Sequence, residues 1–234
     1  MNSITRTVRG CFALVGLLAL PQVVVAQEIE AAWDSTYRPA TYQVQVDQFR
    51  AYPNSRKDII FLGNSLTAHP NWSELLELKH AKNRGISGDI TFGVLERLNE
   101  VTEGKPSKVF LLIGINDISR NIPDSLILEN YKKIVKRVKA ESPATKLYIQ
   151  TLLPTNNTFT KFKRHYNREE HVFWLNKELK QLAAAENITL IDLYPEFTDS
   201  EGKLREAYTH DGLHLTYEGY QKWAEILRKG KYLK

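Results

Sequence analysis

From residue 58 onward, short β-rich apolar runs alternate with longer segments in which apolar residues recur every three or four positions. Runs of the first kind cover 58–62, 80–83, 108–113, 146–152 and 189–193. Two of them, KVFLLIG (108–114) and KLYIQTLLP (146–154), are nearly unbroken apolar stretches, as expected of strands covered on both faces. Segments of the second kind read as helices. The clearest is DSLILENYKKIVKRVKAESP, with Leu128, Tyr131, Ile134, Val135 and Val138 on one stripe, lysines opposite, and Pro143 as a stop. Similar stripes run through FGVLERLNEV (92–101), VFWLNKELKQLAAAEN (172–187) and YEGYQKWAEILRK (217–229). Strands separated by helices predict βαβ units, a parallel sheet and an α/β fold, with one domain over 58–234.

Two stretches stand outside the alternation. Residues 27–57 carry Trp33, Tyr37, Tyr42, Phe49 and Tyr52 and predict a helix-containing, aromatic-rich arm packed on the domain. Residues 154–171, PTNNTFTKFKRHYNREEH, are too long for a routine connection after a strand and predict a functional loop or lid.

The first 26 residues add a compartment to this picture. Arg6 and Arg9 precede an apolar run from Cys11 to Leu20, and Val24-Val25-Ala26 follow, the layout of a signal peptide cleaved after Ala26. The expected product is exported, periplasmic or extracellular. An uncleaved anchor is the competing reading, and a lipid on Cys11 fits poorly because that cysteine precedes the apolar run. Cleavage removes the single cysteine, which excludes disulfides and thiol catalysis, and lowers the net charge from +5 to +3. That balance is too mild for a nucleic-acid binder, where a clustered basic face is expected. The remaining 208 residues suffice for one full core.

Ligands of open parallel sheets bind beyond the carboxyl ends of the strands, so each strand exit is a place to look for chemistry. The first exit offers Gly63-Asn64-Ser65, the second Arg84-Gly85-Ile86-Ser87-Gly88-Asp89, and the third Gly114-Ile115-Asn116-Asp117. Before the last helix comes His210-Asp211-Gly212-Leu213-His214. Acyl transfer needs a hydroxyl, an imidazole to take its proton, a carboxylate to fix the imidazole tautomer, and donors aimed at the tetrahedral oxygen. Ser65, His214 and Asp211 supply the first three. The Ser65 and Gly88 N–H groups and the Asn116 carboxamide supply the donors. Taken singly these residues also read as a helix cap (Ser65), a turn (86–89) and a loop opening (116–117). His210, Asp211 and His214 alternatively read as metal ligands, but no further ligand cluster accompanies them, so no metal or other cofactor is expected.

The four blocks GNSL (63–66), NRGISGD (83–89), GIND (114–117) and DGLH (211–214) resemble, in order, those of the SGNH hydrolases, also called the GDSL esterase/lipase family. The resemblance implies a three-layer α/β/α sandwich with a five-stranded parallel, flavodoxin-like sheet. It also implies Ser65 as nucleophile, Asp211 and His214 as its triad partners, and Gly88 and Asn116 as oxyanion-hole donors beside Ser65. The chain departs from the family at Asn64, where an aspartate is usual. The implied activity is ester hydrolysis, and the blocks look most like the acetylhydrolase and carbohydrate O-acetylesterase branches. Export and a polar lid favour a small-molecule or glycan ester.

Within the lid, Lys161, Lys163, Arg164 and Arg168 outnumber Glu169 and Glu170, and Phe159, Phe162 and Tyr166 are available to stack on a sugar. Asn64, Arg164, Arg168 and Tyr166 are therefore the candidate substrate contacts, with an acidic sugar such as a sialic acid or a uronate favoured by the arginines. A lipid-directed esterase, lysophospholipase or acetylhydrolase of platelet-activating-factor type is the alternative within the family. A catalytically silent carbohydrate-binding domain is the alternative outside it.

Overall fold

The computed structural model describes residues 33–234, so the candidate signal segment and the first residues of the arm lie outside the described residues. Five strands, β1 (Ile59–Gly63), β2 (Ala81–Gly85), β3 (Lys108–Leu112), β4 (Lys146–Gln150) and β5 (Thr189–Ile191), form one sheet in the order β2-β1-β3-β4-β5. Every neighbouring pair is parallel. This is the doubly wound arrangement whose order reverses beside β1, between β1 and β3, where such sheets bind ligands.

The period-two alternation of strand side chains splits the core into two layers. Ile60, Leu62, Val109, Leu111, Leu147 and Ile149 face one side. There they meet helices α4 (Thr91–Glu96), α5 (Asn99–Thr102), α6 (Ile115–Ser119), α7 (Asp124–Glu141) and α8 (Glu169–Ala185). Ile59, Phe61, Phe110, Leu112, Tyr148 and Ile191 face the other side. Their partners are α2 (Ser65–Ala68), α3 (Trp72–Leu76), α9 (Tyr194–Phe197) and α10 (Tyr217–Lys229). On that side the registered trio Phe61, Phe110 and Tyr148 stacks face to face across β1, β3 and β4 at 4.9 and 4.6 Å, and Trp72 caps the row at 3.9 Å from Phe61. Cross-strand aromatic pairs of this kind fix register as well as burying area.

The arm supplies α1 (Tyr42–Ala51), whose Tyr42, Val46 and Phe49 bury against Ile86. The Tyr42 hydroxyl donates to the Gly93 carbonyl at 2.7 Å, so the arm is tied to the layer that carries the second strand exit. Among the described residues no helix is long and apolar enough to cross a membrane.

Several expected elements differ in extent: β2 runs on to Gly85 and β5 stops at Ile191, two residues short of 193. The fourth strand ends at Gln150, short of residue 152, because side chains replace its ladder partners. Thr151 Oγ1 accepts from the Leu193 and Tyr194 N–H groups, and the Asn176 amide takes both backbone groups of Leu152. The stripe at 92–101 is two short helices, α4 and α5, rather than one. The break falls at Arg97, whose guanidinium is fully buried. It donates Nε to Asp89 Oδ2 at 3.0 Å, Nη1 to Glu100 Oε1 at 3.0 Å, and Nη2 to the Gly63 and Arg84 carbonyls at 3.2 and 3.0 Å. Arg84 in turn donates to Glu100 Oε2 at 3.0 Å. Two buried arginines thus face two buried carboxylates at the ends of β1 and β2.

Removing one member of such a buried set leaves its partners charged and unpaired. Arg97→Ala is expected to destabilise the fold by about 3–5 kcal/mol, read as a lowered urea midpoint with little change in the m-value.

Candidate active site

β1 ends on Gly63, and the chain turns at once into α2. A β-carbon at Gly63 would stand 2.2 Å from the Leu112 carbonyl and 2.4 Å from Thr67 Oγ1, so only glycine lets α2 sit this close to the sheet. Asn64 caps the helix, its Oδ1 accepting from the Leu66 N–H at 3.1 Å. Ser65 is therefore held at the first helical position with its hydroxyl over the sheet edge.

The turn before α10 brings the imidazole. Asp211 Oδ1 accepts from the Leu213 and His214 N–H groups at 3.1 and 2.8 Å, an Asx-type turn that leaves Oδ2 facing His214 Nδ1 at 2.9 Å. His214 Nε2 lies 2.9 Å from Ser65 Oγ. Burial alone would raise the Asp211 carboxyl, but the bonds from His214 and Leu213 outweigh it and hold the group below the usual carboxylate range. An ionised Asp211 can only accept, so the proton sits on His214 Nδ1 and Nε2 is left to receive the serine proton.

The donors converge on the same place. Gly88 takes φ +82, a conformation glycine adopts without strain. Among the described residues neither the Ser65 nor the Gly88 N–H is donated within the protein. Asn116 Nδ2 donates to the Asp89 carbonyl at 2.9 Å, which leaves its second N–H for another acceptor. Ser65, Gly88, Asn116 and His214 line one pocket of about 420 Å³. Asp211 stands behind His214.

The candidate substrate contacts separate. Arg164 lines the pocket. Arg168 does not, and its Nη2 is turned to Asn121 Oδ1 at 2.9 Å. Asn64 is wholly buried, so its side chain serves the cap and not a ligand, and its Nδ2 has no partner among the described residues. Tyr166 is buried as well. Its hydroxyl donates to the Asp211 carbonyl and accepts from the Phe162 N–H, which removes it from stacking. Of the lid aromatics Phe162 faces the pocket, set edge-on to His214 at 4.9 Å. His210 is half exposed with Nε2 3.4 Å from Asp211 Oδ2, and among the described residues no group of three or more potential ligands is arranged to hold a metal.

Five polar residues of the pocket wall were given no role by any motif in the sequence. Arg120, at the end of α6, lines the pocket while its guanidinium stacks 3.1 Å over the Tyr37 ring. His165, in a 3-10 turn of the lid, places Nε2 3.0 Å from Asn116 Oδ1. Burial and the nearby charges of His214, Arg164 and Arg120 push it down to about 4. His69 lies with its ring 5.0 Å from that of His214 and is also lowered, by burial and by His214. Ser87 and Ser119 complete the set. A lone histidine or arginine in a loop has no spacing that marks it. The Arg120 position just after the third block was the one available signal.

Residues 61–222 match the GDSL-like Lipase/Acylhydrolase family, and the chain belongs to that family of ester hydrolases. Over 178 residues it is 29% identical to the platelet-activating factor acetylhydrolase IB subunit alpha2 of Rattus norvegicus, covering 74% of this chain and 75% of the relative. A solved structure from Streptococcus pneumonia superposes with a TM-score of 0.73 at 29% identity, over 83% of this chain and 92% of that one. The lipase/acylhydrolase from Enterococcus faecalis superposes with a TM-score of 0.63 at 25% identity, over 74% and 94%.

Beneath Asn116, the wholly buried Asp117 accepts from the Thr91 N–H and from Thr91 Oγ1, whose own acceptor site is filled by Asn130 Nδ2. Burial outweighs these bonds and raises the Asp117 carboxyl to about 7. An acid raised in the folded state stabilises it fully below its unfolded value, near 4, and loses that contribution as pH rises through about 7. Urea unfolding at stepped pH should show the wild type losing stability relative to Asp117→Asn between pH 4 and 8, and a constant difference would refute the assignment.

Proposed function

We propose that this protein removes O-acetyl or similarly short acyl groups from carbohydrates, acidic sugars above all, by a serine acyl-enzyme route. The observation that carries the proposal is the unbroken Asp211–His214–Ser65 chain opening into a pocket beside two undonated backbone N–H groups. Ser65 Oγ attacks the ester carbonyl as His214 Nε2 takes its proton, and the Ser65 and Gly88 N–H groups with Asn116 Nδ2 hold the resulting oxyanion. Collapse breaks the carbon–alkoxy bond, and His214 returns the proton to the departing alcohol. Water, deprotonated by His214, then attacks acyl-Ser65, and the carboxylate leaves as the serine hydroxyl is restored.

Arg120 and Arg164 support the acidic substrate. They reach the pocket from two separate elements, and neither forms an ion pair among the described residues. Arginine recognises carboxylates well because its planar fork matches their geometry. A lipid-side ester is the second reading, favoured by the similarity to a platelet-activating factor acetylhydrolase. It shares the short acyl group and differs on the alcohol side. Export belongs to the same proposal and rests on the layout of residues 1–26.

Hydrolysis of 4-nitrophenyl acetate should fall by at least about 10⁴-fold in Ser65→Ala, and equal rates would sink the esterase reading. In a series of 4-nitrophenyl esters turnover should drop steeply beyond two or three carbons, whereas a lipid-side site would keep it. Arg120→Gln and Arg164→Gln should lower kcat/KM on an acetylated sialic acid more than on a neutral acetylated sugar, with Arg168→Gln unchanged. Equal losses on the two sugars would refute charge recognition.

A further inference from the structure

The Asn116 carboxamide is bonded at both ends. On one side stands the Asp89 backbone carbonyl, which only accepts, so the atom facing it at 2.9 Å must be the amide nitrogen. The atom facing His165 Nε2 at 3.0 Å is then the amide oxygen, which also only accepts. His165 must therefore carry its proton on Nε2 and donate it. The ring is further placed by the lid. The His165 backbone N–H donates to the Phe162 carbonyl at 2.8 Å, Phe162 packs edge-on against the ring at 5.9 Å, and the next residue, Tyr166, is fastened to the Asp211 carbonyl. His165 Nδ1 is buried and has no partner among the described residues, a cost that a ring serving only to fill space would not need to carry.

We propose that His165 is a positioning residue for the oxyanion hole: its Nε2–H fixes the plane of the Asn116 carboxamide and polarises it, so that the second Nδ2–H is aimed at the developing oxyanion. A planar amide held at nitrogen by Asp89 and at oxygen by His165 has no freedom to rotate about its last torsion, and the direction of the remaining N–H follows. Donation to the amide oxygen also draws electron density from the nitrogen and strengthens the N–H as a donor, as in other hydrogen-bond chains. The lid thereby takes part in the chemistry through the orientation of a donor. This role rests on the ester-hydrolase reading of the pocket.

A double-mutant cycle on 4-nitrophenyl acetate tests it. Removing an oxyanion donor outright costs roughly 10²–10³ in kcat, and misdirecting one should cost a sizeable part of that. His165→Phe should lower kcat by about tenfold or more with KM little changed, and His165→Gln, which keeps an N–H donor, should restore most of it. In the Asn116→Ala background, His165→Phe should have almost no further effect. Equal fold losses in both backgrounds, or a His165→Phe enzyme as fast as wild type, would overturn the positioning role while leaving the esterase reading intact. No turnover by the wild type would overturn the esterase reading itself. Imidazole ¹⁵N–¹H correlation spectra of the wild type at pH 7 give a check independent of activity and of the variants' folding. The neutral Nε2–H tautomer is expected for His165, and the Nδ1–H tautomer would overturn the proposal.

Discussion

The Arg97 guanidinium holds the catalytic edge of the sheet together. Its four hydrogen bonds reach the last carbonyl of β1, a carbonyl near the end of β2, and the side chains of Asp89 and Glu100. Gly63 lies two residues before Ser65, and Asp89 follows Gly88 and supplies the carbonyl that Asn116 holds. One buried cation therefore bonds residues within two positions of Ser65 and Gly88 and is linked to Asn116 through Asp89. Charges so buried persist only when they are paired and hydrogen-bonded, and this cluster meets that requirement while setting the spacing of β1 and β2 at their exits. The same residue interrupts the helix between α4 and α5.

Two separate frameworks meet over the pocket. Beneath it lies the sheet edge with its charged cluster and the buried Asp117–Thr91–Asn130 chain. Above it lies the lid, whose neighbouring residues 165 and 166 fasten to the Asn116 carboxamide and to the Asp211 carbonyl. The long loop is thus part of the wall that keeps the Asn116 carboxamide and Asp211 in place. Its sequence position between β4 and α8 puts it beside the pocket, and its hydrogen bonds make it structural.

The alternation of apolar runs revealed the strand cores and the helices between them, because period and burial are local properties of a chain that must cover both faces of a parallel sheet. Ser65, Gly88, Asn116, Asp211 and His214 were legible for a related reason: each stands at a strand exit or just before the last helix, where backbone geometry narrows the choice of residue. Arg97 was not, since a charged residue in an amphipathic stripe looks like a solvent-facing one until its partners from two strand ends and a distant turn are known. His165 and Arg120 were hidden similarly, as their partners lie 49 residues away at Asn116 and on the aromatic arm at Tyr37. Tyr166 and Asn64 were assigned to substrate on residue type alone, and burial turned both toward the interior.

The attachments of the lid divide it for an engineer. At one end the Asn156 N–H is bonded to the Gly212 carbonyl and its Nδ2 to the Leu204 carbonyl. At the other the Tyr166 hydroxyl is bonded to the Asp211 carbonyl. Both clamps grip the segment that carries Asp211 and His214, so exchanging the whole loop for one from a related protein would disturb that pair along with the pocket wall. The stretch from 157 to 164, suspended between the clamps and including Arg164 at the pocket, is the interchangeable part, Phe162 excepted because it packs edge-on to the His165 and His214 rings. A library confined to it could retarget the alcohol side of the substrate while the reaction centre stays as built.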